Sequence, residues 1–228
     1  MSCTAELRRY SLPAWERAVR APFLREPVMG TLPSEMFKRY FLQDYVFAGE
    51  LRRVNGLAAA RATDIELARR RGEFLAVLLG AEDPLSRRAF DSLGVPRNRY
   101  QGVEALPVTR AFSDFRVSTG YGGSFEEISG APCVTERVRL DRAIRLRKKG
   151  ARPAVVMYRE WMHVHDQAAL GPFVDFVEGV VNAGAYGANE RRRMDGIPGT
   201  TLDYEASSWD MDCGGGVDAA NQAGAVLR

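Results

Sequence analysis

The chain has 228 residues, of which 46% are hydrophobic and 27% charged, with a formal net charge of only +3. That length suits one domain with a full hydrophobic core, and no interior stretch has a linker's Ser/Gly/Pro character. The small basic excess is spread over charges of both signs, and the basic segments Arg137–Lys149 and Arg191–Arg193 lack interleaved aromatics for base stacking, so they read as solvated helix faces and no nucleic-acid partner is expected.

Met1–Tyr10 carries Glu6, Arg8 and Arg9 and has no apolar core of a secretory signal. No run approaches the roughly 18 apolar residues that span a bilayer, so no membrane partner and a cytoplasmic location are expected. Cys3, Cys133 and Cys213 are odd in number and lack metal-type spacing, and His163 and His165 are the two histidines. Reduced thiols, no metal and no cofactor follow as expectations.

Helical periodicity dominates the chain. It predicts an all-α, single-domain helical bundle over residues 1–212, with helices near 4–20, 22–29, 33–61, 63–80, 83–93, 107–119, 123–148, 153–166, 169–184 and about 200–212, followed by a Gly/Ala-rich tail at 213–228. Gly30 with Pro33, Gly80, Gly94-Val95-Pro96, Gly120–Gly123 and Gly150–Pro153 supply the breaks.

Within Pro33–Val54, Phe37, Tyr40, Phe47, Leu51 and Val54 line one helical face, and Asp44 occupies the slot between Tyr40 and Phe47. An unpaired carboxylate there would cost several kcal/mol, so Asp44 needs a partner, either an Arg from a neighbouring helix or a ligand. Glu205 repeats the pattern on a stripe with Leu202 and Trp209. Cys133, after Pro132 and before Glu136 and Arg137, is either a small buried hydrophobe or a thiol whose acidity a neighbouring cation tunes.

Pro22-Phe23-Leu24, Gly30-Thr31-Leu32-Pro33, Phe37, Tyr40 and Gln43-Asp44-Tyr45, then Pro132-Cys133, Tyr158 with Trp161, and Tyr204-Glu205 with Trp209-Asp210, together resemble the TenA family (thiaminase II, or aminopyrimidine aminohydrolase) over about residues 7–212. The resemblance implies a haem-oxygenase-like fold, a homotetramer, and a hydrolase acting on an aminopyrimidine or thiamin at its exocyclic methylene carbon in thiamin salvage. It implies Cys133 as nucleophile, Asp44 as holder of the pyrimidine and Glu205 as acid/base. Phe47, Phe112, Arg137 and His165 occupy places where the family commonly carries tyrosines, and they are the expected substrate-binding residues; Ser208 stands where Phe is usual. The alternative is a non-catalytic or altered relative that binds a pyrimidine or another small molecule.

Overall fold

The computed structural model describes residues 12–20, 34–150, 156–184 and 186–212. Ten α-helices are present among them: α1 (Leu12–Arg20), α2 (Ser34–Arg61), α3 (Ile65–Val77), α4 (Asp83–Ser92), α5 (Arg97–Gln101), α6 (Pro107–Gly122), α7 (Phe125–Lys148), α8 (Val156–Val164), α9 (Gly171–Ala183) and α10 (Ala188–Asp212). No strand occurs among the described residues. The expected helix at 22–29, the beginning of the first helix and the tail at 213–228 lie outside them, as do the side chains of Phe37, Tyr158, Trp209 and Asp210.

Helix α7 is the axis of the bundle, and α1, α2, α6, α9 and α10 all pack on it. Its start is fixed by a reciprocal capping box. The Ser124 amide donates to Glu127 Oε2 at 2.8 Å and the Glu127 amide donates to Ser124 Oγ at 3.3 Å, satisfying two of the amides that a helix N-terminus leaves over. From Phe125 to Ala143 nearly every residue is buried, because the helix is surrounded rather than laid on a surface. Aromatic and aliphatic side chains fill the space around it. One cluster joins Tyr40, Phe41, Phe90, Tyr100 and Trp161, and another joins Phe47, Leu51, Phe112, Cys133 and Phe173. Each fully buried large side chain contributes roughly 1.5–3 kcal/mol.

Three local features differ from the sequence expectation. Gly80 does not end a helix. Leu78–Glu82 forms a π-helical turn that joins α3 directly to α4, with the Asp83 amide bonded to the Leu78 carbonyl. Pro84 has no amide to offer the Gly80 carbonyl, and widening the preceding turn accommodates that missing donor. Gly94-Val95-Pro96 is a break as expected, with Gly94 at φ +64°, but the short α5 follows it and brings Tyr100 onto Phe90 with ring centroids 4.5 Å apart. Helix α10 begins at Ala188 rather than near 200 and runs through Pro198. Met194, Ile197, Thr201, Leu202 and Glu205 are all buried along it, and that packing outweighs the hydrogen bond the proline removes.

Gly130 of α7 packs directly against Ile197 of α10. A Cβ there would stand 2.9 Å from Ile197 Cγ2, a β-branched carbon with little freedom to yield. Gly130→Ala should therefore lower stability by roughly 1–2 kcal/mol, because overpacking outweighs the gain of about 1 kcal/mol in helix propensity. Thermal unfolding checks this, and a variant as stable as the parent would contradict so tight a crossing.

Candidate active site

The segment Arg137–Lys149 is a solvated face only towards its end, where Arg147, Lys148 and Lys149 are exposed. Arg139 and Arg142 are buried, which corrects the expectation of a solvated basic stretch. The physical reason is the acids that meet them. Helix α7 carries Glu136, Arg139 and Arg142 at three-residue steps, and Asp44 on α2 and Glu205 on α10 converge on that ladder from different helices.

Arg139 Nη2 lies 3.3 Å from Asp44 Oδ1, and Arg139 Nη1 lies 3.9 Å from Glu136 Oε2. Asp44 has thus found an arginine on a neighbouring helix, and the Tyr40 hydroxyl one turn earlier also hydrogen-bonds it. Burial nevertheless raises the Asp44 carboxyl above its usual range against the pull of Arg139, and the nearby Glu205 adds to the rise. Glu205 Oε2 is 3.8 Å from Arg142 Nη2. Arg142 is anchored from its other side, since its Nε donates to the Ala18 carbonyl of α1 at 2.8 Å. Burial opposes the charge of Arg139, but Glu136 and Asp44 together raise its pKa.

Beside this charged centre stands an aromatic wall. The Phe47 and Phe112 rings lie 5.4 Å apart, and Phe112 stacks on Tyr204 at 5.2 Å. The Arg116 guanidinium sits 3.6 Å from the Phe47 centroid and Arg139 lies 4.7 Å from the same ring. Burial lowers the Arg116 pKa to about 9, with Arg139 adding to the fall. Arg116 Nη2 donates to the Phe47 carbonyl at 3.1 Å, whereas its Nε and Nη1 have no partner among the described residues.

Cys133 is fully buried on α7, one turn before Glu136, in the cluster that contains Phe47 and Phe112. His165 follows α8. Its Nδ1 bonds the Trp161 carbonyl at 2.8 Å and its ring lies 4.5 Å from the Trp161 indole. Burial, reinforced by Arg139, pulls its pKa to about 3, so the imidazole is neutral at pH 7. Arg137 points its guanidinium at α9, where Nε and Nη2 each lie 2.7 Å from a Glu178 oxygen. Of the residues expected from sequence, Asp44, Glu205, Phe47, Phe112, Cys133 and His165 thus line or adjoin one buried polar centre, and Arg137 is committed to a flanking ion pair.

Sequence reasoning missed Glu82, Arg116, Glu136, Arg139 and Arg142. The stripe argument that finds Asp44 also finds Glu82, which sits with Leu78, Leu85 and Ala89 on one buried face. Burial pushes the Glu82 carboxyl up to about 8. Its unfolded value is near 4.3, so between about pH 5 and pH 8 the folded state holds a proton that the unfolded state has released. Stability must fall as pH rises through that window, with an upper bound of about 5 kcal/mol from this group. Glu82→Gln removes the titration and should gain in melting temperature over the parent as pH rises from 5 to 8. A difference that stays constant across that range would contradict the burial of a titrating Glu82.

Among the described residues no group of three or more His, Cys, Asp or Glu side chains could hold a metal ion. No described helix is long and apolar enough to cross a membrane. The arrangement offers a flat aromatic wall, carboxyls able to read an amidine-like edge, a thiol, and acids in different environments, which is a set suited to proton-assisted substitution on a polar heteroaromatic ring.

Comparison with known proteins agrees with that reading. The chain is similar to an aminopyrimidine aminohydrolase of Helicobacter pylori, 22% identical over 201 residues that cover 86% of this chain and 92% of the relative. It is also similar to an aminopyrimidine aminohydrolase of Bacillus subtilis (strain 168), 27% identical over 135 residues that cover 58% of this chain and 57% of the relative. Among solved structures, a TenA homologue protein from P. horikoshii OT3 superposes with a TM-score of 0.83 at 25% identity, covering 95% of this chain and all (100%) of the other. A domain from Shewanella denitrificans OS217 described as having a heme oxygenase-like fold superposes with a TM-score of 0.72 at 13% identity, covering 94% and 97% of the two chains, which identifies the fold. The model of the TENA/THI-4/PQQC family matches residues 10–215, and the chain belongs to that family.

Proposed function

We propose that this protein is an aminopyrimidine hydrolase of thiamin salvage, replacing the amine, or the thiazolium of thiamin, by hydroxyl at the exocyclic methylene carbon of the pyrimidine. The observation that carries the reading is the convergence of Asp44 and Glu205 on the buried Arg139 and Arg142 of α7, beside the Phe47–Phe112 wall and the helical turn that holds Cys133.

In this reading the Asp44 carboxyl receives the amino and ring-nitrogen edge of the pyrimidine, and its raised pKa suits it to share a proton with that nitrogen. The Cys133 sulfur adds to an electron-poor ring carbon while its thiol proton passes to the ring nitrogen, which takes up the displaced electron pair. The amine leaves from the methylene carbon as ammonia, taking a proton from a carboxylic acid of the site. Water then adds there, losing its proton to Glu205, and the sulfur departs, regaining its proton from the ring nitrogen and restoring the aromatic ring. Phe47 and Phe112 stack against the flat substrate, and His165 closes the wall near Trp161. A cytoplasmic location and a homotetramer complete the proposal.

A second reading, a pyrimidine-binding protein without turnover, draws on Arg137. That residue stands at a position where a tyrosine is usual and is committed to Glu178. Ammonia release from an aminomethylpyrimidine separates the two. Catalytic release of ammonia with formation of the hydroxymethyl product is the expected result, and tight binding without release would favour the second reading.

A further inference from the structure

We infer that Glu82 is a second acid of this site, which carries a proton into the reaction and delivers it to the leaving amine while His165 holds it in position. The inference rests on the hydrolase reading for the identity of the proton acceptor.

The geometry begins with the π-helical turn Leu78–Glu82. A π-turn displaces side chains from regular helical register, and this one leaves Glu82 buried towards the charged centre. Asp44 comes towards it from α2, Glu136 and Arg139 from α7, and His165 from the end of α8. The buried centre contains four carboxyls, at positions 44, 82, 136 and 205, against three guanidiniums, at positions 116, 139 and 142. With His165 neutral, full ionisation would leave an unbalanced negative charge in a poorly solvated interior. One proton held on one carboxyl restores the balance.

Contact geometry says where that proton resides. Asp44 and Glu136 lie within 4 Å of Arg139, and Glu205 lies within 4 Å of Arg142. Glu82 has no guanidinium at such a distance among the described residues, and its Oε1 faces His165 Nε2 at 3.9 Å. The Nδ1 of that imidazole must carry its hydrogen, because its partner is the Trp161 carbonyl and a carbonyl only accepts. Nε2 of the neutral ring is therefore a lone pair, suited to accept from a protonated Glu82 after a small rotation closes the gap. The strongly raised Glu82 carboxyl and the lowered imidazole agree with a neutral acid beside a neutral base.

A double displacement needs a proton given once and a proton taken once, and two carboxyls in different environments divide those tasks. As the methylene C–N bond breaks, the amine nitrogen takes the Glu82 proton and leaves as ammonia, and Glu82 becomes a carboxylate. Water then adds to the methylene carbon and its proton goes to Glu205. Return of that proton to Glu82 resets the site, and the net change is amine plus water to alcohol plus ammonia.

The test pairs Glu82→Gln with the parent protein. Glutamine matches the shape of the protonated acid, so the folded structure and KM should change little, with no loss of stability, while kcat at neutral pH should fall at least ~100-fold, as expected for loss of a general acid. The parent should lose activity along an alkaline limb near pH 8 that the variant lacks. Infrared difference spectra of the free parent should show a protonated carboxyl stretch that disappears over the same range and is missing from Glu82→Gln. An active parent with an equally fast variant and an unmoved alkaline limb would overturn the role of Glu82 and leave the hydrolase reading intact, as would absence of that infrared band. A parent that shows the band but turns over no pyrimidine would overturn the hydrolase reading and the delivery step, leaving the Glu82–His165 pair as the resting arrangement.

Discussion

Cys133→Ser should reduce hydrolysis of an aminomethylpyrimidine by at least ~10³-fold, the range in which removal of an activated nucleophile falls. The swap is nearly isosteric, and a serine hydroxyl without a strong base is a far poorer nucleophile than a thiolate. Its structural cost is limited but not zero. Cys133 is fully buried, and a hydroxyl placed there costs roughly 1–3 kcal/mol if it finds no acceptor. The Ser129 carbonyl one helical turn back can serve as that acceptor. Cys133→Ala, which introduces no polar atom, provides the control. Both variants should be inactive in steady-state assays and cooperative in thermal unfolding. Retained turnover in either would refute covalent catalysis by this thiol.

Asp44→Asn should weaken pyrimidine binding by about 100-fold and reduce turnover further, because one carboxylate oxygen becomes a donor and mismatches the ring edge it is proposed to read. The substitution also removes one of the two acids around Arg139. Loss of one partner from a buried pair can cost about 3–5 kcal/mol, but the Asp44 side chain is 18% exposed and Glu136 still faces Arg139. A loss of roughly 1–2 kcal/mol is therefore expected. Calorimetric titration and kinetics measure the functional part and thermal unfolding the structural part. Unchanged affinity with lower stability would reduce Asp44 to a structural partner of Arg139.

The architecture was legible in the sequence wherever one stripe decided the outcome. Tyr40, Phe47, Leu51 and Val54 mark the buried face of α2, and Ser124 with Glu127 marks the start of α7. Residues that pack on several sides, or against partners far along the chain, were not. Pro198 reads as a breaker, yet α10 passes through it because Met194, Ile197 and Leu202 are buried on both sides of it in sequence. Glu82 shares a stripe with Leu78, Leu85 and Ala89, but Gly80 and the helix start at Asp83-Pro84 read as a boundary that cuts the stripe in two, whereas the π-turn carries it through. Arg139 and Arg142 share a run with Arg145, Arg147 and Lys148, and only the distant Asp44 and Glu205 distinguish buried from solvated members. Asp44 and Glu205 stood out in sequence because each interrupts an apolar stripe. Their cationic partners did not, because arginine on a long helix is ordinarily at the surface.

The central claim is that a pyrimidine occupies the space between Asp44 and Cys133, and a crystal structure of the Cys133→Ser variant with an aminomethylpyrimidine tests it most directly. The account predicts density for the ring against Phe47 and Phe112, its amino and ring-nitrogen edge on the Asp44 carboxyl, and its methylene carbon facing Glu205 and Glu82. Density bound elsewhere on the bundle, with Asp44 still paired to Arg139 and no ring at the aromatic wall, would contradict it.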